Sequence, residues 1–182
     1  MKYEQAIRLK NGKEAMIRNG SESDGGTVFE LFSRTHGETD YLLSYPEENS
    51  FSAEQEAQFL KEKAMSPNEI ELVALVDGKI AGIAGIESVG KKYKVKHRAE
   101  FGISVLKEYW GLGLGKALTE ACIQCAREAG YDQLELNVVA GNERAVSLYR
   151  SLGFIEFGRN PRGFNSKITG YQELVYMLLE LR

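Results

Sequence analysis

Three glycines alternate with bulky side chains in Trp110-Gly111-Leu112-Gly113-Leu114-Gly115, and Lys116 follows at once. Where such a run opens a helix, the first backbone N–H groups lack intrahelical partners and sit at the positive end of the helix dipole. Missing side chains let phosphate oxygens approach those groups closely. The run therefore suits a diphosphate, and three ligand classes carry one: nucleoside triphosphates, dinucleotides and coenzyme A. A Walker loop requires G-x-x-x-x-G-K-[ST], but Trp110 stands five residues before Gly115, and Ala117 follows Lys116 where a hydroxyl is needed. A dinucleotide fingerprint, G-x-G-x-x-G, requires a glycine where Lys116 stands. Coenzyme A remains, beside a plainer reading in which the glycines only shape a tight turn and permit close helix packing.

The other chemically useful side chains are scattered. Glu100 lies in an alternating segment and offers a carboxylate. His36 and His97 are rival bases by side-chain type, and nothing in their spacing selects either. Tyr149 offers a phenol, although it shares an apolar helix face with Leu148 and Leu152. Cys122 and Cys125 form a C-x-x-C without a second ligand pair and read as core cysteines rather than as a zinc site or a disulfide.

These residues need elements to position them. Glu14 to Arg18 reads as a strand, residues 24–36 as a helix and residues 37–51 as a loop. Ser52-x-x-Gln55 is a capping box, and the helix it opens should end before Pro67. Residues 70–76 and 79–86 flank Asp77-Gly78, which predicts an antiparallel hairpin. A basic turn at 90–94 leads to a strand at 97–105, in which Phe101, Ile103 and Val105 alternate with small or polar residues. From Leu114 a helix carries Leu118, Cys122, Cys125 and Ala129 on one stripe to a stop at Gly130. Residues 134–138 then form a strand, Asn142 caps a helix ended by Gly153, and residues 154–157 resume a strand. Tyr171 to Leu181 suits a last strand, with Met177-Leu178-Leu179 also compatible with helix.

The chain has 182 residues, 43% of them hydrophobic, enough for one compact domain over residues 1–182. A net charge of −3 gives no sign of a nucleic-acid or anionic-membrane surface. No apolar h-region or bilayer-length stretch occurs, so a cytoplasmic protein is expected.

The glycine run and its surroundings resemble the GCN5-related N-acetyltransferases, whose coenzyme A signature is [QR]-x-x-G-x-[GA]. Trp110 departs from the Gln/Arg position. Ala99 to Val105 is similar to the family strand before the loop, and Asn142 to Phe154 is similar to its following helix and strand; together they cover roughly the last two-thirds of the chain. The resemblance implies an α/β (α+β) fold: a mixed, mostly antiparallel central sheet of six to seven strands flanked by about four helices.

It also implies an activity: transfer of an acetyl group from acetyl-coenzyme A to a primary amine by direct attack in a ternary complex, without a metal. The alternatives are acetylation of a protein N-terminus or lysine, and a non-catalytic acyl-coenzyme A-binding module. By the same resemblance, backbone groups from Leu112 through Lys116 hold the pyrophosphate, with Trp110, Gly111, Gly113, Leu114 and Gly115 shaping that cradle. Ile103, Ser104 and Val105 flank the pantetheine, and Asn142 contacts the coenzyme or simply caps its helix. Tyr149 would protonate the leaving thiolate. Glu100 would take the ammonium proton through water, unless it is solvated or paired with Arg98. Some family members use a water chain and no fixed base. The acceptor would meet the first two helices, the 37–51 loop and the C-terminal hairpin. Glu38, Asp40, Tyr41, Tyr45, Glu47 and Glu48 there either receive a polycation or form solvated surface. Family habit also makes a homodimer an expectation.

Overall fold

The computed structural model describes residues 1–182. Eight strands form one sheet: β1 (Glu4–Arg8), β2 (Glu14–Asn19), β3 (Ile70–Val76), β4 (Lys79–Ser88), β5 (Arg98–Val105), β6 (Gln133–Val139), β7 (Ile155–Ser166) and β8 (Gly170–Glu180). Four α-helices accompany them: α1 (Gly25–Glu38), α2 (Ala53–Met65), α3 (Leu114–Glu128) and α4 (Glu143–Ser151). The spatial order is β1-β2-β3-β4-β5-β6-β8-β7. Neighbours run antiparallel except β5 and β6, which the α3 crossover makes parallel.

The mixed, mostly antiparallel sheet matches the expected class, with more strands than the six to seven expected. The extra strand is β1. It is an edge strand pairing only with β2 and is largely exposed on both faces, so no hydrophobic alternation marks it. The segment expected at 154–157 continues to Ser166, through an irregularity between Asn160 and Phe164 that absorbs Pro161. The last segment is strand throughout, because Met177 and Leu179 alternate with neighbours on the opposite face of β8.

Helices cover both faces. α3 buries Leu114, Leu118, Cys122 and Cys125 completely or nearly so against the sheet, joined by Val146 and Tyr149 of α4. Burial pushes both thiols up, Cys125 to about 12, as befits unreactive core cysteines. On the other face Val28 and Leu31 of α1 and Leu60 of α2 pack on Val73 and Ile80. The capping box of α2 forms as read: Ser52 Oγ accepts from Gln55 N–H at 3.3 Å, and Gln55 Oε1 accepts from Ser52 N–H at 2.8 Å.

The pairing of β5 with β6 positions the site. β5 and β6 pair only through Arg98–Glu100 with Gln133–Glu135, yet β5 runs on to Val105 and β6 to Val139. The strands therefore part halfway along their length and leave a V-shaped opening in the sheet.

Candidate active site

A cleft of about 790 Å³ fills this opening. The glycine run closes one end. Gly111 and Gly113 adopt φ of +79° and +97°, a left-handed conformation that side chains disfavour, so the alternation of glycine is required by the turn itself. A Cβ added at either would meet nothing within 4 Å, and one at Gly115 would make only an ordinary 3.9 Å contact with Leu148. Close packing between helices is therefore not what these glycines serve; the space above them is open. Gly113 is the N-cap of α3, and the first helical bond runs from Ala117 N–H to its carbonyl. The N–H groups of Leu114, Gly115 and Lys116 lie before that bond and point out of the helix end, at the positive pole of its dipole. The arrangement fits a diphosphate.

Trp110, the departure from the family signature, has a structural task. Its indole N–H donates to the Val105 carbonyl at 2.7 Å, tying the loop to the end of β5, and the Arg144 guanidinium lies 5.4 Å from its ring centre. Tryptophan thus substitutes an indole tether and a cation–π partner for a flexible polar side chain.

Backbone direction sorts the three β5 residues. The Ser104 carbonyl lies against Gly82 of β4, and the Arg98 carbonyl accepts from Val89 on that same side. Alternation then turns the peptide groups of Ile103 and Val105 toward the opening. With the Val105 carbonyl taken by Trp110, the cleft is offered the N–H and C=O of Ile103 and the N–H of Val105. Ser104 lines the cleft but spends its backbone on β4.

Tyr149 lies on the first face of the sheet, 7% exposed, with its ring edge-on to Phe101 and tilted against Phe154 at centroid distances of 6.1 and 5.8 Å. Its hydroxyl makes no hydrogen bond within the chain while the residue lines the cleft, and burial holds the phenol above the usual tyrosine range. A protonated, unspent donor therefore faces the opening. Asn142 does cap α4, its Oδ1 accepting from Ala145 N–H at 3.3 Å, and it also lines the cleft.

Glu100 lines the cleft from the opposite face of β5 and is exposed, with Asn137 Nδ2 at 3.4 Å. Arg98 is not its partner. Arg98 instead grips Glu135 through both guanidinium arms, with the second contact at 2.7 Å. The rival bases stand outside the cleft. His36 stacks on Phe32 at 3.7 Å, donates to its carbonyl, and has its pKa lowered by burial. His97 accepts the Asp132 and Gln133 N–H groups at its carbonyl, which anchors the start of β6.

The far end of the cleft is built by residues that carried no motif. Thr35, Thr39, Tyr41, Leu42 and Leu43 come from the end of α1 and the loop after it; Phe164 and Leu174 come from the β7–β8 hairpin. A latch holds the two segments together. Asp40 Oδ2 accepts from Ser166 Oγ at 2.6 Å, Thr169 Oγ1 at 2.9 Å and Gln172 Nε2 at 3.0 Å. Tyr45 accepts the Lys167 N–H at 2.7 Å, and Lys167 Nζ pairs with Glu47 at 2.8 Å. Asp40, Tyr45 and Glu47 are thus neither free receptors nor plain surface but ties between segments over a hundred residues apart. Only their polar and aromatic character in a glycine-flanked loop hinted at this.

Residues 28–154 match the model of the Acetyltransferase (GNAT) family. The chain belongs to that family. That family is one of acetyltransferases. The structure resembles that of an acetyltransferase of GNAT family from Streptococcus pneumoniae, with a TM-score of 0.85 and 30% identity over 91% of this chain and 98% of that one. A Salmonella typhimurium structure, yncA with its cofactor acetyl-CoA, shares the fold at a TM-score of 0.80, with 20% identity over 92% and 94% of the two chains. YdaF of Bacillus subtilis (strain 168) is 30% identical over 118 residues, 62% of this chain and 61% of that protein, so the chain spans about three-fifths of this relative.

Proposed function

We propose that residues 1–182 form one N-acetyltransferase domain that moves an acetyl group from acetyl-coenzyme A to a primary amine by direct attack in a ternary complex, in the cytoplasm. The observation that carries this reading is the parting of β5 from β6, which opens one cleft to two ends: the glycine turn at one and Glu100 with the latched loop at the other.

Acetyl-coenzyme A supplies the activated acetyl group as a thioester. The N–H groups of Leu112 through Lys116 would hold its pyrophosphate, with Trp110, Gly111 and Gly113 fixing the turn and Asn142 beside it. Ile103 and Val105 would pair with the amides of its pantetheine arm as an added strand does, and an N–H there would polarise the thioester carbonyl. Glu100 takes a proton from the acceptor's ammonium through water, which frees the nitrogen lone pair. The nitrogen forms the C–N bond, the C–S bond breaks, Tyr149 gives its phenolic proton to the departing sulfur, and the second proton shed by the nitrogen restores the phenol. Burial keeps the proton on the Tyr149 oxygen, so the donor is loaded when the sulfur departs.

A second reading, acetylation of a protein N-terminus or lysine, draws on Leu43, an apolar side chain that is 82% exposed at the cleft mouth. A homodimer is part of the proposal as well: β7 is a long edge strand with Ile155 and Phe157 more than half exposed. Sedimentation would show a species of twice the chain mass, and a monomer at all concentrations would remove this element.

Initial-rate kinetics test the central reading. With acetyl-coenzyme A and a primary amine both varied, intersecting double-reciprocal lines are expected and thiol release should equal acetylated amine. Parallel lines would replace direct attack by a covalent enzyme intermediate. Binding of acetyl-coenzyme A without turnover of any amine or peptide would make the chain a binding module.

A further inference from the structure

The charges around the acceptor end of the cleft are sharply limited, and this narrows the acceptor. The cations that line the cleft all belong to its coenzyme end. Lys116 stands in the first turn of α3, Arg144 lies over Trp110, and Lys10 is fixed beside the loop by its N–H bond to the Leu112 carbonyl at 3.0 Å. The hairpin at the other end has cations, but Arg159 is tied to Glu156 and Glu173, Lys167 to Glu47, and Arg162 lies 4.9 Å from the Tyr171 ring centre; none of them lines the cleft.

Two carboxylates line the cleft, Glu100 and Glu143, and Glu143 stands in the first turn of α4 beside Asn142, at the coenzyme end; others are paired or spent. Lys63 binds both Glu69 and Glu87 at 2.8 Å, Arg98 binds Glu135, and Asp40 is spent on three donors. Glu71 sits with its carboxyl over Gly85, whose missing side chain makes the room: an added Cβ would lie 2.0 Å from Glu71 Oε2. Burial, reinforced by Glu56 and Glu87, pushes Glu71 up to about 8, so it is mostly neutral at pH 7. One unpaired negative charge is left where the acceptor would sit, that of Glu100, and the other side chains at that end are uncharged, Thr35 and Thr39 beside Tyr41, Leu42, Leu43 and Phe164.

We infer that the acceptor is a compact monoamine with an apolar body, carrying neither a carboxylate nor a second ammonium. The inference rests on the acetyl-transfer reading above. Glu100 complements one ammonium; a carboxylate would enter a site with no cation to meet it, beside a like charge. A second ammonium would leave water for uncharged walls with no free anion to receive it. The latch favours a small body over a polypeptide, since Asp40 and Tyr45 fasten the loop to the hairpin and leave no gap between those two segments at their ties.

The test is a matched series turned over with acetyl-coenzyme A: phenethylamine, phenylalanine, spermidine and a hexapeptide with N-terminal phenylalanine. Phenethylamine is expected to lead phenylalanine and spermidine in kcat/KM by on the order of 100-fold. Preference for phenylalanine, spermidine or the peptide overturns the inference while leaving acetyl transfer intact. No turnover of any member, with acetyl-coenzyme A still bound, overturns the transferase reading and this inference together. Leu43→Arg sharpens the result, because an 82% exposed site accepts a guanidinium without disturbing the core. The variant should narrow the phenethylamine-to-phenylalanine ratio about tenfold through the KM of phenylalanine. An unchanged ratio counts against the charge argument.

Discussion

The two ends of the cleft are made in different ways. The coenzyme end comes mainly from one continuous stretch, Ile103 to Lys116, with Asn142, Arg144 and Lys10 beside it, and works through backbone: two left-handed glycines, the N–H groups of a helix start and the free edge of β5. The acceptor end comes from segments more than a hundred residues apart and works through side chains, with Asp40, Tyr45 and Lys167 holding a loop against a hairpin. A backbone cradle tolerates side-chain change but not conformational change. A side-chain enclosure behaves in the opposite way, and this lets one coenzyme site serve whatever acceptor a loop and a hairpin can enclose.

The largest break in this comparison should come from Gly113→Val. At φ +97° a β-branched residue is strained, and the turn must shift away from the cradle geometry. Affinity for acetyl-coenzyme A should fall by about 100-fold or more in calorimetric titration, roughly 2.7 kcal/mol. Affinity within threefold of the parent would refute a backbone cradle at this turn.

Tyr149→Phe comes next. With no hydrogen bond at the hydroxyl, the fold loses little. A general acid typically contributes 10²–10⁴-fold, so kcat should drop by about 100-fold with the KM for acetyl-coenzyme A nearly constant. Because burial raises the Tyr149 pKa, its proton stays in place at alkaline pH, and the parent should show no loss of kcat from this group below about pH 10, the ordinary tyrosine value. Unchanged kcat in the variant removes Tyr149 from the reaction.

Asp40→Ala opens the latch. The KM for the amine should rise about tenfold as Ser166, Thr169 and Gln172 lose their shared acceptor, while acetyl-coenzyme A affinity holds. Equal losses at both ends would mean that the two halves are not separable.

The smallest effect concerns stability. The folded-state pKa of Glu71, about 8, lies above the unfolded carboxylate value near 4.3. Between these values the native state keeps a proton that the unfolded chain has released, so stability falls as pH rises through that window. Glu71→Gln should flatten the fall and raise Tm at pH 8 by roughly 2–4 °C, the shift that about 1 kcal/mol gives in a domain of this size. A variant Tm at or below that of the parent at pH 8 would contradict a neutral Glu71.

The same contrast explains what could be read from the amino-acid order. The glycine turn, the Ser52 capping box, the Asp77-Gly78 hairpin and the stripe on α3 are local features set by φ preference, caps and periodicity. β1 was invisible because an exposed edge strand has no apolar alternation, and the full length of β7 was hidden by Pro161 and the irregularity around it. The latch was illegible because Asp40 meets Ser166 only after the sheet has formed. The amino-acid order offered Arg98 only its strand neighbour Glu100, and the parallel register of β5 with β6, which sets Glu135 beside Glu100, brings the carboxylate that takes it.

The most direct measurement is parallel isothermal titration of the purified protein with acetyl-coenzyme A, coenzyme A and NAD. The cleft is expected to bind both coenzyme A species and not NAD. Binding of NAD alone, or of none of the three, would reduce the glycine turn to a structural corner and contradict acetyl transfer at this site.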